Sequence, residues 1–336
     1  MQKRFVKKQK ERTEKMAKNQ LKGSLMLLLT ALIWGCAFVA QSKAMDSVEP
    51  FTFQAARSIL GTLVLIPLIV FNSHSKPESD KKTSEADKKI LITGGIVCGV
   101  LLCLASNLQQ FGIVTTTPGK AGFITAMYIL LVPVFGLAFG KKVEPKIWFC
   151  ILVAAVGLYF LCVTDVTIPQ NATFLQKLSA ALSALKFTSG DIYVILCAVV
   201  FAFHILAVDR FSPLTDGVKL SCIQFFTCAV ISAVFMFIFE KPSFENIVSA
   251  AVPILYAGIG SCGIAYTLQI IGQKYTQPTV ASLVMSLESV FAVLAQIVIM
   301  HIVPSNREII GCILVFAAII VAQLPSFGKK AASGNM

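Results

Sequence analysis

Ten long apolar segments constrain the fold of this chain more than any other feature of its sequence. A helix needs about 20 apolar residues to cross the hydrocarbon core of a bilayer. The segments lack the period-two alternation of outer-membrane barrels, so we predict an all-α integral membrane protein with ten transmembrane helices. Numbered span one to span ten, the segments run approximately over residues 24–42, 51–71, 90–111, 118–140, 147–163, 191–208, 218–239, 248–271, 277–300 and 308–324.

The sequence contains an internal repeat. The stretch from Asn107 to Phe135 is similar in sequence to the stretch from Thr267 to Phe291. Over the first part of these stretches, corresponding residues are 160 positions apart. Beyond these first matches the alignment places four extra residues in the first copy, so that LVPVF meets LESVF. The matched pairs are Leu108 with Leu268, Gln109 with Gln269, Gly112 with Gly272, Thr116 with Thr276, Pro118 with Pro278, and Ala121 with Ala281.

Spans one and two also return, as spans six and seven, at a spacing of 167 residues. Each half then holds five helices, and an odd number of spans makes the second half enter the membrane from the opposite side. We therefore predict two inverted five-helix repeats, over residues 23–163 and 191–324. An external loop, 164–190, joins them, and cytoplasmic tails occupy residues 1–22 and 325–336.

The distribution of basic residues predicts the orientation. With the N-terminus inside, 22 of the 29 Lys and Arg residues fall on the cytoplasmic side and 6 outside, and Arg57 lies within span two. Basic loops stay in the cytoplasm, so both termini of this multi-pass protein are expected there. The basic tail is interpreted as an arm facing anionic lipids, and no nucleic-acid partner is expected.

Composition supports a membrane protein without a cofactor. Hydrophobic residues make up 56% of the 336 residues and charged residues only 14%, against about 25% charged in soluble domains. The ten cysteines form no CxxC pair and lie almost entirely in apolar segments, so we interpret them as packing residues. No metal ion or cofactor is expected.

Five motifs together resemble a known family. They are Trp34-Gly35, Arg57, TTTPGKAGFITAMYILLVPVF from Thr115, Gly157, and SLESVF from Ser286. With them the chain resembles the drug/metabolite transporter superfamily and, within it, the EamA-type ten-helix carriers. It departs from the family pattern at Ser289, where a proline usually follows the glutamate, and in lacking the Gly-Glu pair that often ends spans four and nine. The resemblance implies a plasma-membrane carrier, commonly an exporter of amino acids or other small metabolites, with a cavity between its halves.

Two charged residues inside spans are candidate functional residues, because charge at membrane depth is costly. Glu288, near the middle of span nine, is predicted to carry a proton or bind solute, with a packing role as the alternative. Arg57 lies about two turns into span two and is expected to snorkel to the outer interface. The alternatives for Arg57 are a structural partner of Glu288 or an anion contact, whereas Lys120 is expected to be a plain interfacial lysine.

Four polar residues in spans three and eight share a spacing. Asn107 and Gln110 are three residues apart on one helical face, and Tyr266 and Gln269 repeat that spacing. Amides and a phenol can bind a polar solute without a buried charge, so all four are candidates for substrate binding. Hydrogen bonding between helices is the structural alternative.

Two aromatic residues and a histidine complete the candidates for substrate binding. Trp34 in span one and Tyr128 in span four could form an aromatic cavity wall or simply pack. His204 in span six has no second histidine at helical spacing, which argues against a metal site. It could relay protons with Glu288, or be an interior histidine with its hydrogen bonds satisfied.

The sequence thus favours a secondary transporter, predicted to export a small organic solute such as an amino acid. We expect alternating access, coupling to protons through Glu288, a homodimer as one assembly, and a cavity lined by spans one, three, four, six, eight and nine. An intramembrane enzyme is the alternative, but the chain has no HExxH or GxSxG motif and no intramembrane aspartate pair. A receptor or structural membrane protein is a further alternative.

Overall fold

The computed structural model describes residues 2–74, 84–138, 140, 143, 145–162, 188–276 and 278–323, and these residues contain helices and no strand. Nearly all of the predicted external loop, and the tail 325–336, lie outside the described residues. The helices are Gln2–Ala44, Pro50–His74, Glu85–Ile113, Pro118–Thr125, Tyr128–Ala138, Pro145–Cys162, Ser189–Phe211, Gly217–Phe239, Phe244–Ser249, Ala251–Leu255, Tyr266–Gln273, Pro278–Met285, Glu288–Ala295 and Asn306–Gln323, with π-helical stretches at Tyr256–Ala265 and Gln296–Met300.

Eight helices within the described ranges are long and apolar enough to cross a membrane, which confirms an all-helical, multi-pass membrane fold. Predicted span five corresponds to Pro145–Cys162, whose shorter apolar part is Trp148–Gly157, and predicted span ten to Asn306–Gln323. The total of ten spans stays a prediction. The eight are spans one to four and six to nine, namely Asn19–Ala44, Pro50–Phe71, Glu85–Ile113, Pro118–Ala138, Ser189–Leu214, Gly217–Phe239, Ala251–Gln273 and Val280–Met300.

Capping residues fix where several spans begin. The side chains of Ser84 and Thr188 each accept a hydrogen bond from the backbone N–H three residues on. In return, the carboxylates of Asp87 and Asp191 accept from the backbone N–H of the cap residue. These capping boxes satisfy N–H groups that the first helical turn leaves free. Span four instead begins with Pro118 at its first position, behind the N-cap Thr117, where no donor is required.

The two halves pack in a repeated pattern. Span three packs along span six, and span eight packs in the same way along span one. Span four contacts span six, as span nine contacts span one, while spans two and seven pair with each other and spans five and ten do the same. The halves therefore interlock, and the helices nearest the centre come from both of them.

Glycines allow the closest of these helix contacts. A Cβ atom on Gly258 would lie 2.6 Å from Cβ of Leu60, and one on Gly99 would lie 2.7 Å from the carbonyl oxygen of Gln224. These distances leave no room for a side chain, so spans eight and two, and spans three and seven, meet backbone to backbone. Small residues at such crossings are typical of helix contacts in membrane proteins.

Spans four and nine are both interrupted near their centres, and the interruptions correct the sequence alignment. The first helix of each span ends at Thr125 or Met285, and the second begins at Tyr128 or Glu288. The offset between the two interruptions is again 160 residues, so the four extra residues predicted in the first copy are wrong. Identical letters in LVPVF and LESVF misled the alignment, whereas the backbone shows that Tyr128 and Glu288 hold equivalent positions.

Candidate functional site

A small buried cavity lies between the two halves, enclosed by spans one to four, six, eight and nine. The volume open to the centre of a water molecule is about 20 Å³, which is room for about one water molecule. The cavity is therefore closed around a polar centre in this conformation. Its wall is formed by Trp34, Ala37, Phe38, Gln41, Arg57, Gln109, Thr125, Tyr128, Phe201, Ile205, Ser261, Tyr266, Gln269 and Glu288.

Arg57 brings a positive charge to the cavity from the first half. Its side chain is only 4% exposed, so the expected snorkelling to the outer interface is wrong. Nε of Arg57 donates a 2.6 Å hydrogen bond to Oε1 of Gln54, and the guanidinium lies 5.2 Å from the centre of the Phe53 ring. The position of Arg57 only about two turns into span two suggests the membrane interface. Its neighbours Gln54 and Phe53, from the same helix, instead hold the cation inside the protein.

Glu288 brings a carboxyl group to the cavity from the second half, at the point where span nine resumes. It is 3% exposed, and its Oε1 atom has no hydrogen-bond partner among the described residues. At the interruption, the hydroxyls of Ser286 and Ser289 donate to the carbonyls of Leu283 and Ser286, at 2.8 and 2.7 Å. The first bond gives the Leu283 carbonyl a partner, and the second adds to the backbone N–H of Ser289, which also donates to the Ser286 carbonyl at 3.1 Å.

The hydroxyl of Tyr128 occupies the equivalent interruption in span four. It too is buried without a hydrogen-bond partner in the described part of the chain. Two interrupted helices therefore present a phenol and a carboxyl group to one cavity. Discontinuous helices that meet near the centre of the membrane are the usual framework of solute sites in secondary transporters.

An aromatic wall closes another side of the cavity. The rings of Trp34 and Tyr266 lie 4.6 Å apart between centres, at 55° to each other. Phe225 supports Tyr266 from behind with an edge contact at 5.2 Å. Nε1 of Trp34 has no acceptor among the described residues, so this wall offers both an apolar face and a free hydrogen-bond donor.

Amide side chains from both halves add hydrogen-bonding capacity. Gln109 donates to Oγ1 of Thr125 at 3.2 Å, while the Oε1 atoms of Gln41 and Gln269 have no donor in the described structure. The prediction included Gln269 and missed Gln109. The signal was present, because the repeat aligns Gln109 with Gln269, whereas the spacing argument selected its neighbour Gln110.

Three predicted residues lie away from the cavity wall. Asn107 donates to the carbonyl of Cys103 at 2.8 Å and to Ser232 at 3.1 Å, and Gln110 donates to the carbonyl of Gln41 at 3.2 Å. His204 pairs with Oε1 of Gln224 at 3.2 Å and meets the Tyr266 ring edge-on at 6.2 Å. All three link helices behind the cavity. The structure brings together at the wall the other six candidates, which are Trp34, Arg57, Tyr128, Tyr266, Gln269 and Glu288.

Within the described ranges, no group of three or more His, Cys, Asp or Glu side chains is arranged to hold a metal ion. The nine cysteines whose side chains are described are free thiols. The chemistry of the site therefore consists of a guanidinium group, a carboxyl group, neutral hydrogen-bonding groups and aromatic faces.

Interrupted apolar helices that surround a cavity with buried ionisable side chains are typical of membrane transporters. The sequence profile of the EamA-like transporter family matches residues 21–163 and 188–323, one after the other, and the chain belongs to this family. As a member of the drug/metabolite transporter superfamily it moves small solutes across a membrane.

Two individual proteins are similar to the chain over most of its length. A protein of Archaeoglobus fulgidus described as an uncharacterized transporter is 28% identical over 306 residues, covering 91% of this chain and 87% of the relative. A solved crystal structure superimposes with a TM-score of 0.65 at 19% identity, covering 90% of this chain and 96% of the other. At that identity the second match supports the fold alone.

Proposed function

We propose that this protein is a secondary transporter that exports a small organic metabolite, such as an amino acid, by alternating access of its two halves. The observation that carries the proposal is the pair of buried ionisable side chains at one cavity, Arg57 from the first half and Glu288 from the second. Charges at membrane depth are costly unless they are paired or used. No catalytic function is proposed.

The chemistry of the cavity suits a zwitterion with an apolar or aromatic body. A carboxylate of the solute would meet the Arg57 guanidinium, and an ammonium group would meet Glu288. The Trp34 and Tyr266 rings would cover the rest of the solute. Buried polar atoms without partners cost free energy, and a solute that bonds to Tyr128, Gln41 and Gln269 would recover part of that cost.

The size of the cavity supports a cycle with a conformational change. Space for about one water molecule is too small for an amino acid, so solute binding requires the halves to move apart. We infer that the two five-helix halves are inverted in the membrane, which gives two related open states, one toward each side. The repeated packing of spans three with six and eight with one supports this relation.

We propose that protons drive the transport through Glu288. A carboxyl group that faces water in one state and is sealed in another can load a proton in one and release it in the other. The cavity wall holds other charged or titratable side chains near Glu288. They are Arg57 from span two, Tyr128 from span four and Tyr266 from span eight. A solute ammonium group and a proton would compete for the same carboxylate, which couples their movements.

We also propose a plasma-membrane location with both termini in the cytoplasm, on the charge asymmetry of the loops. A thiol label applied outside intact cells should reach Ser183→Cys but not Ser79→Cys, two positions outside the described residues. The reverse pattern would overturn this orientation.

Purified protein in vesicles tests the function directly. We expect one class of amino acid or similar zwitterion, drawn from a metabolite library, to exchange across the membrane and to accumulate when a pH gradient is imposed. Empty vesicles, and vesicles without the gradient, are the controls. Exchange that occurs only for anions or only for cations would contradict the zwitterion, and accumulation that ignores the pH gradient would contradict proton coupling.

A further inference from the structure

Two corresponding pairs of glycines bring helices into close contact at the two ends of the bundle, on either side of the cavity. We call the meeting of Gly112 with Gly190 the Asp191 end, and the meeting of Gly272 with Gly23 the Gly23 end. A Cβ atom on Gly190 would lie 2.5 Å from the carbonyl oxygen of Gly112, and one on Gly23 would lie 3.0 Å from that of Gly272. The glycines correspond at the repeat spacings of 160 and 167 residues, so the two closures are equivalent in their backbone.

The side chains of the two ends differ. At the Asp191 end, Nζ of Lys120 lies 2.7 Å from Oδ2 of Asp191, whose side chain is fully buried. Oγ1 of Thr116 donates to Oδ1 of Asp191 at 3.2 Å, and the backbone N–H of Thr188 donates to Oδ2 at 2.8 Å. The predicted plain interfacial lysine is therefore one member of a shielded ion pair.

The Gly23 end has no ion pair at the two positions that correspond to Lys120 and Asp191. The repeat spacings place Val280 in the position of Lys120, and Ser24 in the position of Asp191. Thr276 corresponds to Thr116, but its Oγ1 atom has no hydrogen-bond partner in the described structure. The Asp191 end thus has an ion pair with supporting hydrogen bonds at positions where the Gly23 end has the neutral side chains of Ser24, Thr276 and Val280.

This ion pair joins two spans that form the cavity wall. Lys120 lies in the first turn of span four, which carries Thr125 and Tyr128, and Asp191 lies in the first turn of span six, which carries Phe201 and Ile205. A buried carboxylate with a cation and further donors is stable, whereas the same carboxylate without its cation is strongly destabilising. Separation of the two spans would break this arrangement.

We propose that Lys120 and Asp191 form a latch that holds the Asp191 end closed more firmly than the Gly23 end. The cavity then opens by preference at the Gly23 end, which is the cytoplasmic end in the proposed orientation. This inference rests on the proposed alternating access. It assigns the resting carrier a conformation that accepts solute from the cytoplasm, as an exporter requires.

Thiol labelling from each side of the membrane tests the latch. On a cysteine-depleted background, Ser261→Cys places one thiol in the cavity wall, and a membrane-impermeant reagent reports which end is open. We expect Lys120→Met to raise the labelling rate from the Asp191 side by on the order of tenfold or more, since it leaves a buried carboxylate unpaired. Lys120→Arg keeps the cation and should stay close to the background protein.

The repeat supplies a matched variant with the opposite effect. Ser24→Asp combined with Val280→Lys transfers the ion pair to the Gly23 end, and should slow labelling from that side. Should Lys120→Met fail to fold, Lys120→Met with Asp191→Asn removes both charges while an amide oxygen still accepts from Thr116, and labelling from the Asp191 side should again rise.

Equal labelling rates in folded Lys120→Met and in the background protein, including no labelling in either, would overturn the latch. So would an equal rise in Lys120→Arg, because it would point to the loss of the lysine side chain rather than its charge. These outcomes are independent of solute movement. A failure of the proposed function would instead appear as vesicles that exchange no solute with any variant.

Discussion

At three positions of the cavity wall, corresponding residues from the two halves of the molecule both carry an aromatic or polar side chain. They are Trp34 and Phe201, Gln109 and Gln269, and Tyr128 and Glu288. The first two pairs keep an aromatic ring and an amide, whereas the third replaces a phenol by a carboxyl group. Duplication therefore supplied the shape of the cavity, and later divergence supplied its charge.

The fourth comparison concerns Arg57, whose counterpart Gln224 lies away from the cavity and bonds to His204. Each half thus contributes one charge that the other half lacks. A solute held by Arg57 and Glu288 is held by both halves at once, so its binding depends on how the halves are arranged. A cavity in which one half carried both side chains would lack this dependence.

The largest effect is expected at Glu288, the charge specific to the second half. Glu288→Gln keeps the shape and removes the proton-exchanging group, so accumulation driven by a pH gradient should fall to background while solute exchange persists. Glu245→Gln, at an exposed carboxylate, is the control. Full accumulation by a normally folded Glu288→Gln variant would rule out proton coupling through this residue.

A smaller effect is expected at Arg57, the charge specific to the first half. Arg57→Gln copies the residue of the second half, and should weaken solute binding by about thirtyfold or more, as the loss of a buried charge partner does. Arg57→Lys should recover part of the affinity. The measurement is the solute concentration that half-saturates exchange, with exposed Arg210→Gln as the control. Unchanged half-saturation in Arg57→Gln would mean that the cation is structural.

The smallest effect is expected where the halves agree. Gln109→Leu and Gln269→Leu each remove one neutral hydrogen-bonding group, so each should raise the half-saturating concentration by about threefold to tenfold. The two effects should be similar in size, because the residues hold equivalent positions. A difference of about a hundredfold, equivalent to about 2.7 kcal/mol, would show that the amides have diverged in function as the charges have.

Much of the fold could be predicted from the sequence because hydrophobic length and repetition are local properties. The membrane class, the positions of the spans and the equivalence of Gln109 with Gln269 all follow from reading along the chain. The interruptions of spans four and nine could not be found in this way. They consist of two residues with ordinary composition, and the matching letters around Val134 and Val290 favoured a different alignment.

The candidate site was predicted in part, and the misses share one physical cause. Arg57 was assigned to the interface from its depth, but Gln54 and Phe53 hold it in the interior. The ion pair of Lys120 joins residues 71 positions apart in the sequence. Packing in the folded molecule decides both cases, within one span for Arg57 and between two spans for Lys120, and the depth of a residue along its span does not reveal such packing.

The π-helical stretch Tyr256–Ala265 gives span eight a means of turning its own side chains. The N–H of Tyr266 bonds to the carbonyl of Ser261, five residues back, so each such turn holds one residue more than an α turn. Rewinding by one residue would rotate the following segment by about 100°. Tyr266 and Gln269 would then leave the cavity wall together while the start of the span kept its packing. In the proposed transport cycle, such a change of winding within one helix would release a solute from Tyr266 and Gln269.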